Sequence, residues 1–301
     1  MIIGAYPSLP KHARRDTAAF VAFHERIAVV TRCSGFEIPY GSRFIADESA
    51  LLRLLRRRGT HALTLLPAVL ERGVGLADPV EERRSAAVAL IRRAVQAASA
   101  ANDRDQRPVI DHVLLQSAPR ATRGTAQAAR ASFSRSLAEI AGWNAPGLRF
   151  VIEHCDSFEG PVPTKGFLDL ATELDLAARH GFGTAINWGR SYLETRRLDG
   201  ALEHARAAQG AGTLAVLGVS GVSDAATALG PAFSDSHAPV RTDRGDRSYS
   251  SLLDADTLRR FLGVAPGARV VTKVAGGENA LADSARAARE YAGGATLVPV
   301  E

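Results

Sequence analysis

Short runs of apolar residues alternate along the whole chain with longer segments in which apolar positions recur every three or four residues. Continuous apolar runs are typical of strands that are buried on both faces of a parallel sheet. The longer spacing is typical of helices with one buried face. The runs predict eight strands, at residues 2–6, 35–39, 61–66, 109–116, 148–153, 183–187, 214–219 and 269–273.

A helix is predicted after each of these strands. Asp47 stands at the start of the second helix, where its side chain can cap free backbone N–H groups. The third helix starts at Pro79 and carries Glu81 and Glu82 in its first turn, which suits the helix dipole. The predicted helices cover residues 16–27, 47–58, 79–100, 125–141, 167–179, 200–208, 254–262 and 280–291.

Eight strand–helix units predict the α/β class and, within it, a single (β/α)8 TIM barrel that spans residues 1–301 as one domain. The alternative is a doubly wound open sheet, which the number of units and the lack of a Gly-x-Gly-x-x-Gly turn after strand one argue against. Residues 220–250 are polar and too numerous for an ordinary connection. They predict a long loop that serves as a lid, a dimer contact or a mobile segment.

Composition and charge argue against nucleic-acid-binding and membrane-spanning proteins. The 301 residues carry a net charge of +5, mostly from arginine pairs on predicted helices without interleaved aromatics. Such pairs are typical of solvated helix faces, so we predict no nucleic-acid partner. No apolar run approaches the roughly 20 residues that span a bilayer, so no membrane partner is predicted. Two cysteines, Cys33 and Cys155, form no disulfide framework and favour a reduced, cytoplasmic setting.

Polar residues collect where the predicted strands end. The carboxyl ends of the strands form the active-site face of a TIM barrel, and polar side chains there are costly to bury unless they serve each other or a ligand. The residues at or beyond these ends are Glu37, Gln116, Glu153, His154, Asp156, Asn187, Trp188, Arg190, Ser220, His237 and Lys273.

These candidates differ in how strongly they indicate function. Glu153 follows a continuous apolar run and is hard to explain as a solvated residue. Lys273 stands between apolar residues, and Arg190 lies in an Asn-Trp-Gly-Arg segment that we interpret as an atypical loop. If the strand continues, His154 points to the opposite side from Glu153. His154 is then either a functional residue or a core histidine whose hydrogen bonds are satisfied. The residues whose alternative is an ordinary surface, core or loop role are Glu37, His154, Asp156 and His237.

Two of these segments carry a family resemblance. Residues 152–156, Ile-Glu-His-Cys-Asp, and 186–191, Ile-Asn-Trp-Gly-Arg-Ser, resemble the xylose-isomerase-like TIM barrels, the sugar isomerase and epimerase superfamily. They are most similar to a branch known as domain of unknown function 4862, as is Asp-Ser-His-Ala-Pro at 235–239. The resemblance implies a carbohydrate substrate and a homodimer or homotetramer. It also implies a divalent metal bound by Glu, Asp, His and Glu from strands five to eight.

The chain departs from that ligand pattern. Glu153 matches the first ligand, but Asn187 stands at the second position and carries no charge. The third position has Ser220, with His237 available from the loop, and the fourth has Lys273. A protonated amine cannot bind a metal ion and repels a dication.

Two hypotheses about a cofactor follow from this departure. In the first, one divalent ion (Mn, Co, Zn or Mg) is bound by a changed set of ligands drawn from Glu153, Asp156, His237 and His154. In the second, there is no metal and Lys273 supplies the positive charge that stabilises an enediolate.

The predicted function is a sugar or keto-sugar isomerase or epimerase that abstracts a proton next to a carbonyl. Glu153 is the predicted base, which requires a pKa raised by burial. His154 or His237 assists it, and Lys273 stabilises charge. The predicted substrate-binding residues are Glu37, Gln116, Asn187, Trp188 and Arg190, with Trp188 facing the sugar ring. The alternatives are an eliminating lyase, a Schiff-base aldolase that uses Lys273, and a non-catalytic sugar-binding barrel without its metal.

Overall fold

The computed structural model describes residues 1–45, 47–56, 59–243 and 247–292. Within them, eight parallel strands close into a barrel in chain order, and the last strand pairs back with the first. The predicted TIM barrel is confirmed. The strands are β1 Ile2–Ile3, β2 Gly35–Pro39, β3 His61–Thr64, β4 Ile110–Leu115, β5 Arg149–Glu153, β6 Gly183–Asn187, β7 Leu214–Val219 and β8 Arg269–Thr272.

Helices surround the barrel, and several begin where a polar side chain caps them. Asp47, for example, accepts a hydrogen bond from Ala50 N at 2.7 Å. The end of the predicted helix 47–58, at residues 57–58, lies outside the described residues. The helices are α1 Thr17–Thr31, α2 Glu48–Leu55, α3 Leu66–Arg72, α4 Glu81–Asp105, α5 Ala126–Ala141, α6 Leu170–His180, α7 Trp188–Thr195, α8 Gly200–Gly210, α9 Ala255–Leu262 and α10 Gly277–Ala292.

Two short helices, α3 and α7, were not predicted. Each begins within two residues of the end of its strand. The change from the spacing of buried residues in a strand to that in a helix is therefore hard to see in the sequence. Asn187 ends β6 and caps α7, because its Oδ1 accepts a hydrogen bond from Arg190 N at 3.2 Å. Our interpretation of residues 187–190 as a loop was therefore wrong, and Arg190 lies in the first turn of α7.

The barrel interior is a single small apolar layer. Seven strands each contribute one residue to this layer: Ile2, Ala62, Leu114, Val151, Ala185, Val216 and Val271. On β2 the residue in register with Ala62 is Glu37, and on β5 Glu153 follows Val151 by two positions. Because alternate residues of a strand share a face, both carboxylates point into the barrel above this layer.

Larger apolar clusters fill the space between the barrel and its helices. The long connection predicted at 220–250 runs between β7 and α9 and, apart from residues 244–246, is described. It returns to the barrel, because Gly221 pairs with Ala238 and the carbonyl of His237 accepts from Ala275 N at 2.7 Å. None of the described helices combines the length and the apolar character needed to cross a membrane.

Candidate active site at the mouth of the barrel

Glu153 is the centre of a buried charge cluster. Its Oε1 lies 2.9 Å from Lys273 Nζ and 2.7 Å from Nη1 of Arg190, and its Oε2 accepts from Gln116 Nε2 at 2.9 Å. All four side chains are buried. β4, β5, α7 and the end of β8 therefore present these residues to one point, as expected from the polar residues at the strand ends.

Lys273 joins Glu153 to a second carboxylate. Its Nζ also donates to Glu37 Oε1 at 2.8 Å. The stem of the lysine passes Gly4, where an added Cβ would lie only 3.0 Å from Lys273 Cβ and Cγ. The Tyr6 hydroxyl lies 3.5 Å from Glu37 Oε1. Sequence reasoning missed Tyr6, although it stands at the end of the predicted first strand.

The two carboxyl groups have opposite pKa shifts. Burial alone would raise the pKa of Glu153, but Arg190 and Lys273 outweigh burial and lower it to about 2. Burial raises the pKa of Glu37 above its usual value, although Lys273 opposes the shift. Burial would lower the pKa of Lys273, but Glu153 and Glu37 raise it well above its usual value. Contrary to our expectation, the carboxyl with the raised pKa is Glu37 and not Glu153.

Asn187, which stands at the second metal-ligand position of the xylose-isomerase-like barrels, makes hydrogen bonds within the protein. Asn187 Oδ1 accepts from Ser220 Oγ at 2.9 Å as well as from the α7 backbone. Its Nδ2 is buried without a hydrogen-bond partner, and Gln116 Oε1 is likewise unpartnered. An added Cβ at Gly218 would lie 2.8 Å from Asn187 Nδ2, so glycine is needed on β7. Two polar groups at the mouth are thus left for a ligand.

The long loop closes over this cluster with a carboxylate that sequence reasoning missed. Asp235 Oδ2 lies 3.1 Å from Lys165 Nζ and 3.6 Å from Arg190 Nε. Burial opposes ionisation of Asp235, but His237, Arg190 and Lys165 lower its pKa well below the usual value. His237 Nδ1 is buried without a hydrogen-bond partner, and burial lowers the pKa of the ring to about 4. Asp235 lies two residues before His237 in the segment that we had already selected.

His154 lies on the other side of β5, away from Glu153. Its Nδ1 is 2.6 Å from Glu173 Oε2, and its Nε2 is 2.8 Å from Glu194 Oε2. Burial would lower the pKa of His154, but Glu194 and Glu173 raise it to about 10. The His204 ring lies 5.4 Å from the His154 ring, and burial lowers its pKa to about 4. We call His154, Glu173, Glu194 and His204 the outer cluster.

The structure also separates two other predicted residues from the mouth. Asp156 Oδ2 accepts from the backbone N–H groups of residues 164–166, so this carboxylate holds a turn. Trp188 is buried in the apolar layer outside the barrel and stacks on Tyr192 with 5.5 Å between ring centres. Our prediction that Trp188 faces a sugar is wrong, because the start of α7 turns this ring outward.

A divalent metal does not fit beside Glu153. The predicted ligands Glu153, Asp156 and His237 do not converge, and two cations already contact the Glu153 carboxylate. Within the described residues, His, Cys, Asp and Glu side chains offer one group of three whose ligand atoms lie within 4.8 Å of one another. That group is His154, Glu194 and His204 of the outer cluster.

Comparison with known proteins now places the chain in a family. The model of the family described as domain of unknown function (DUF4862) matches residues 2–286. The chain belongs to the DUF4862 family. A relative is the protein named "Uncharacterized protein STM3670" of Salmonella typhimurium (strain LT2), which is 33% identical over 236 residues. The aligned part covers 73% of this chain and 72% of the relative.

The DUF4862 chain is also similar to solved barrels. It superposes on 3-keto-D-glucoside 4-epimerase, YcjR, from E. coli with a TM-score of 0.55 at 14% identity, covering 96% of this chain and 98% of that one. The IOLI protein with a bound zinc atom gives a TM-score of 0.59 at 12% identity, with 96% and 95% covered. Similar folds include sugar isomerase/epimerase-like and AP endonuclease-like barrels. At these identities the likeness shows the xylose-isomerase-like fold alone.

Proposed function

We propose that this protein is a sugar or keto-sugar isomerase or epimerase whose barrel mouth works without a metal. The observation that carries the proposal is that Glu37 and Glu153, both buried, share the ammonium of Lys273 and have opposite pKa shifts. Carboxyl groups whose surroundings push their pKa values apart are typical of acid–base pairs. The barrel mouth of this family member thus has a proton carrier beside a fixed anion.

In this proposal Glu37 is the general base. A carboxylate with a raised pKa transfers protons more effectively near neutral pH than one with a pKa of about 2. Glu37 takes the proton from the carbon next to the substrate carbonyl, and the electron pair moves to the carbonyl oxygen to form an enediolate. In an isomerase, Glu37 then returns the proton to the former carbonyl carbon, while the hydroxyl proton passes to the former carbonyl oxygen. In an epimerase, Glu37 keeps the proton and a second acid delivers another to the opposite face of the enediolate.

Lys273 and Arg190 supply the charge that a divalent ion supplies in the resembled family. Both cations are buried, and fixed donors in a dry site stabilise a developing oxyanion much better than donors in water. Glu153 holds them in place through contacts of 2.9 and 2.7 Å. The unpartnered atoms Gln116 Oε1 and Asn187 Nδ2 are available to sugar hydroxyl groups.

Access to the site requires a movement. The cavity among Glu37, Glu153, Asn187 and Lys273 has room for about one water molecule. A sugar therefore enters only if side chains at the mouth move apart, and Asp235 lies on the loop that covers them. Opening and closing loops of this kind are common in barrel enzymes, because closure excludes water from the reaction.

A Schiff-base mechanism is less well supported. It needs a lysine with a depressed pKa, so that the amine is free to attack a carbonyl. The pKa of Lys273 is instead raised well above its usual value by two carboxylates, after burial is overcome. Lys273 is thus better suited to charge stabilisation than to covalent catalysis.

The test is solvent hydrogen exchange. Chelator-treated protein is incubated in D2O with a panel of aldoses, ketoses and 3-keto-glucosides, and NMR follows deuterium uptake beside the carbonyl. We expect exchange on at least one sugar without added metal, and a loss of about 100- to 10,000-fold in Glu37→Gln. Glu278→Gln removes a half-exposed carboxylate that pairs with Arg26 and is the matched control. Binding of a sugar without exchange would contradict the proposal and favour the non-catalytic barrel.

A further inference from the structure

We propose that the outer cluster is a zinc site, formed by His154, Glu194 and His204 on the outside of the barrel. It is separate from the barrel mouth, because His154 follows Glu153 on the opposite face of β5. Glu194 lies on α7 and His204 on α8, so the three ligands come from three consecutive units of the barrel. The proposal does not depend on the reaction at the mouth.

The arrangement of donors has the form of a metal centre. One ligand atom from each of the three residues lies within 4.8 Å of the other two. Ligand atoms around a tetrahedral Zn²⁺ are about 3.4 Å apart, from bond lengths of about 2.0–2.2 Å. The present separation of His154 Nε2 and Glu194 Oε2 is 2.8 Å, and the separations from His204 are at most 4.8 Å, so shifts of about 1 Å in each side chain would seat an ion. Two histidines and one carboxylate leave a fourth position for water.

Groups behind the ligands fix the histidine rings. His154 Nδ1 is 2.6 Å from Glu173 Oε2, which is fully buried. His204 Nδ1 is 3.0 Å from the hydroxyl of Ser191, which is also buried. Histidines that bind metals almost always donate their second ring N–H to a fixed partner, such as a carboxylate, a backbone carbonyl or water. The carboxylate–histidine pair of Glu173 and His154 is therefore the part of the cluster that points most directly to a metal.

Charge and accessibility agree with a dication. Glu173 and Glu194 together carry two negative charges, which balance Zn²⁺ when both histidines are neutral. The Glu194 side chain is 15% exposed and His204 is partly exposed, so an ion can enter from solvent. Nitrogen donors select zinc and cobalt over magnesium and calcium, which prefer oxygen alone.

A bound ion would also connect to the mouth. Glu194 lies one helical turn after Arg190 on α7, and Arg190 contacts Glu153. An ion that ties Glu194 to His154 and His204 would therefore hold α7 against the end of β5. The geometry makes this zinc a brace for the helix that presents Arg190.

The test is cobalt binding to the full chain after treatment with a chelator. We expect one Co²⁺ per chain, with the visible absorption of tetrahedral cobalt, and its displacement by Zn²⁺. His204→Ala removes a partly exposed ligand without stranding a buried charge, and it should weaken binding by more than about 100-fold. Glu173→Gln should weaken it by about 10- to 100-fold, as is typical of groups behind a ligand.

Two controls locate the site. His180→Ala removes a histidine at the end of α6 that is outside the cluster, and Glu278→Gln removes a carboxylate on the far side of the barrel. Both should bind cobalt as the wild type does. Absence of stoichiometric binding in the wild type would overturn the proposal, and so would equal affinity in His204→Ala. The exchange experiment at the mouth is defined on chelator-treated protein, so neither result decides its outcome and the two proposals fail separately.

Discussion

Glu153 and His154 are neighbours in the chain, but they belong to two charge clusters on opposite sides of β5. Inside the barrel, an anion lies between two cations, at 2.9 Å from Lys273 and 2.7 Å from Arg190. Outside it, a histidine lies between two carboxylates, at 2.6 Å from Glu173 and 2.8 Å from Glu194. Each cluster offsets the cost of burying its central group.

The two clusters differ in how many of their buried polar atoms lack a hydrogen-bond partner. At the mouth, Gln116, Asn187 and His237 each keep a buried polar atom without a hydrogen-bond partner. In the outer cluster, both His154 nitrogens and the Nδ1 of His204 are engaged. Unpartnered buried groups are costly and typical of sites that await a ligand. The mouth therefore has the features of a substrate site, whereas in the outer cluster the engaged ring nitrogens hold the histidines in position for the proposed ion.

Of the substitutions that distinguish the two clusters, Lys273→Met should have the largest effect on the free energy of unfolding. The substitution leaves Glu37 and Glu153 buried without their shared cation, and breaking a buried pair costs about 3–5 kcal/mol. Chemical denaturation measures the change in the free energy of unfolding. Lys11→Met, at an exposed position, is the matched control and should change stability by less than about 0.5 kcal/mol. A small effect at Lys273 would mean that water enters the mouth and solvates the carboxylates.

A smaller effect is expected from Glu173→Gln in the outer cluster. His154 keeps Glu194 as an ionic partner, and the new amide still accepts from Ser117 Oγ. We expect a loss of about 1–3 kcal/mol, the cost of one imperfect buried hydrogen bond. Glu203→Gln on α8, which breaks an exposed ion pair with Arg197, is the control. A loss as large as that of Lys273→Met would remove the distinction between the two clusters.

The two clusters should also differ in pH dependence. The pKa of His154 is raised from 6.5 to about 10, so its contribution to stability is complete below pH 6.5 and is lost as pH rises toward 10. The pKa of Glu153 is lowered from 4.5 to about 2, so its contribution is lost as pH falls through that range.

The measurement is the free energy of unfolding from pH 7 to 10, with chelator present. His154→Gln should remove a slope of up to about 1.4 kcal/mol per pH unit that the wild type shows. Groups that do not contact His154 titrate alike in both proteins and cancel in the difference, whereas Glu173 and Glu194 lose a cation that lowers their pKa values. Parallel curves would show that His154 does not carry the charge that its two carboxylate partners favour.

Sequence reasoning placed most of the mouth correctly, because strand ends can be read from apolar runs. Glu37, Gln116, Glu153, Asn187, Arg190 and Lys273 all lie there. It missed Tyr6 and Asp235, because a tyrosine at a strand end and an aspartate in a loop are as common in ordinary turns as in functional sites. It misplaced Trp188, because a helix that begins directly at a strand end turns its first side chain outward. The cytoplasmic setting and the homodimer or homotetramer stay predictions.

By itself, the sequence determined the eight-fold alternation and hence the barrel, because strands buried on both faces are mostly apolar and stand out as short apolar runs. It also determined that polar residues gather at one end of that barrel. The partners of those residues were decided only by tertiary structure, since Lys273 reaches Glu153 across 120 positions and His154 reaches Glu194 across 40. A pKa depends on every charge within a few ångströms. The opposite shifts of Glu37 and Glu153 therefore exist only once the barrel has closed.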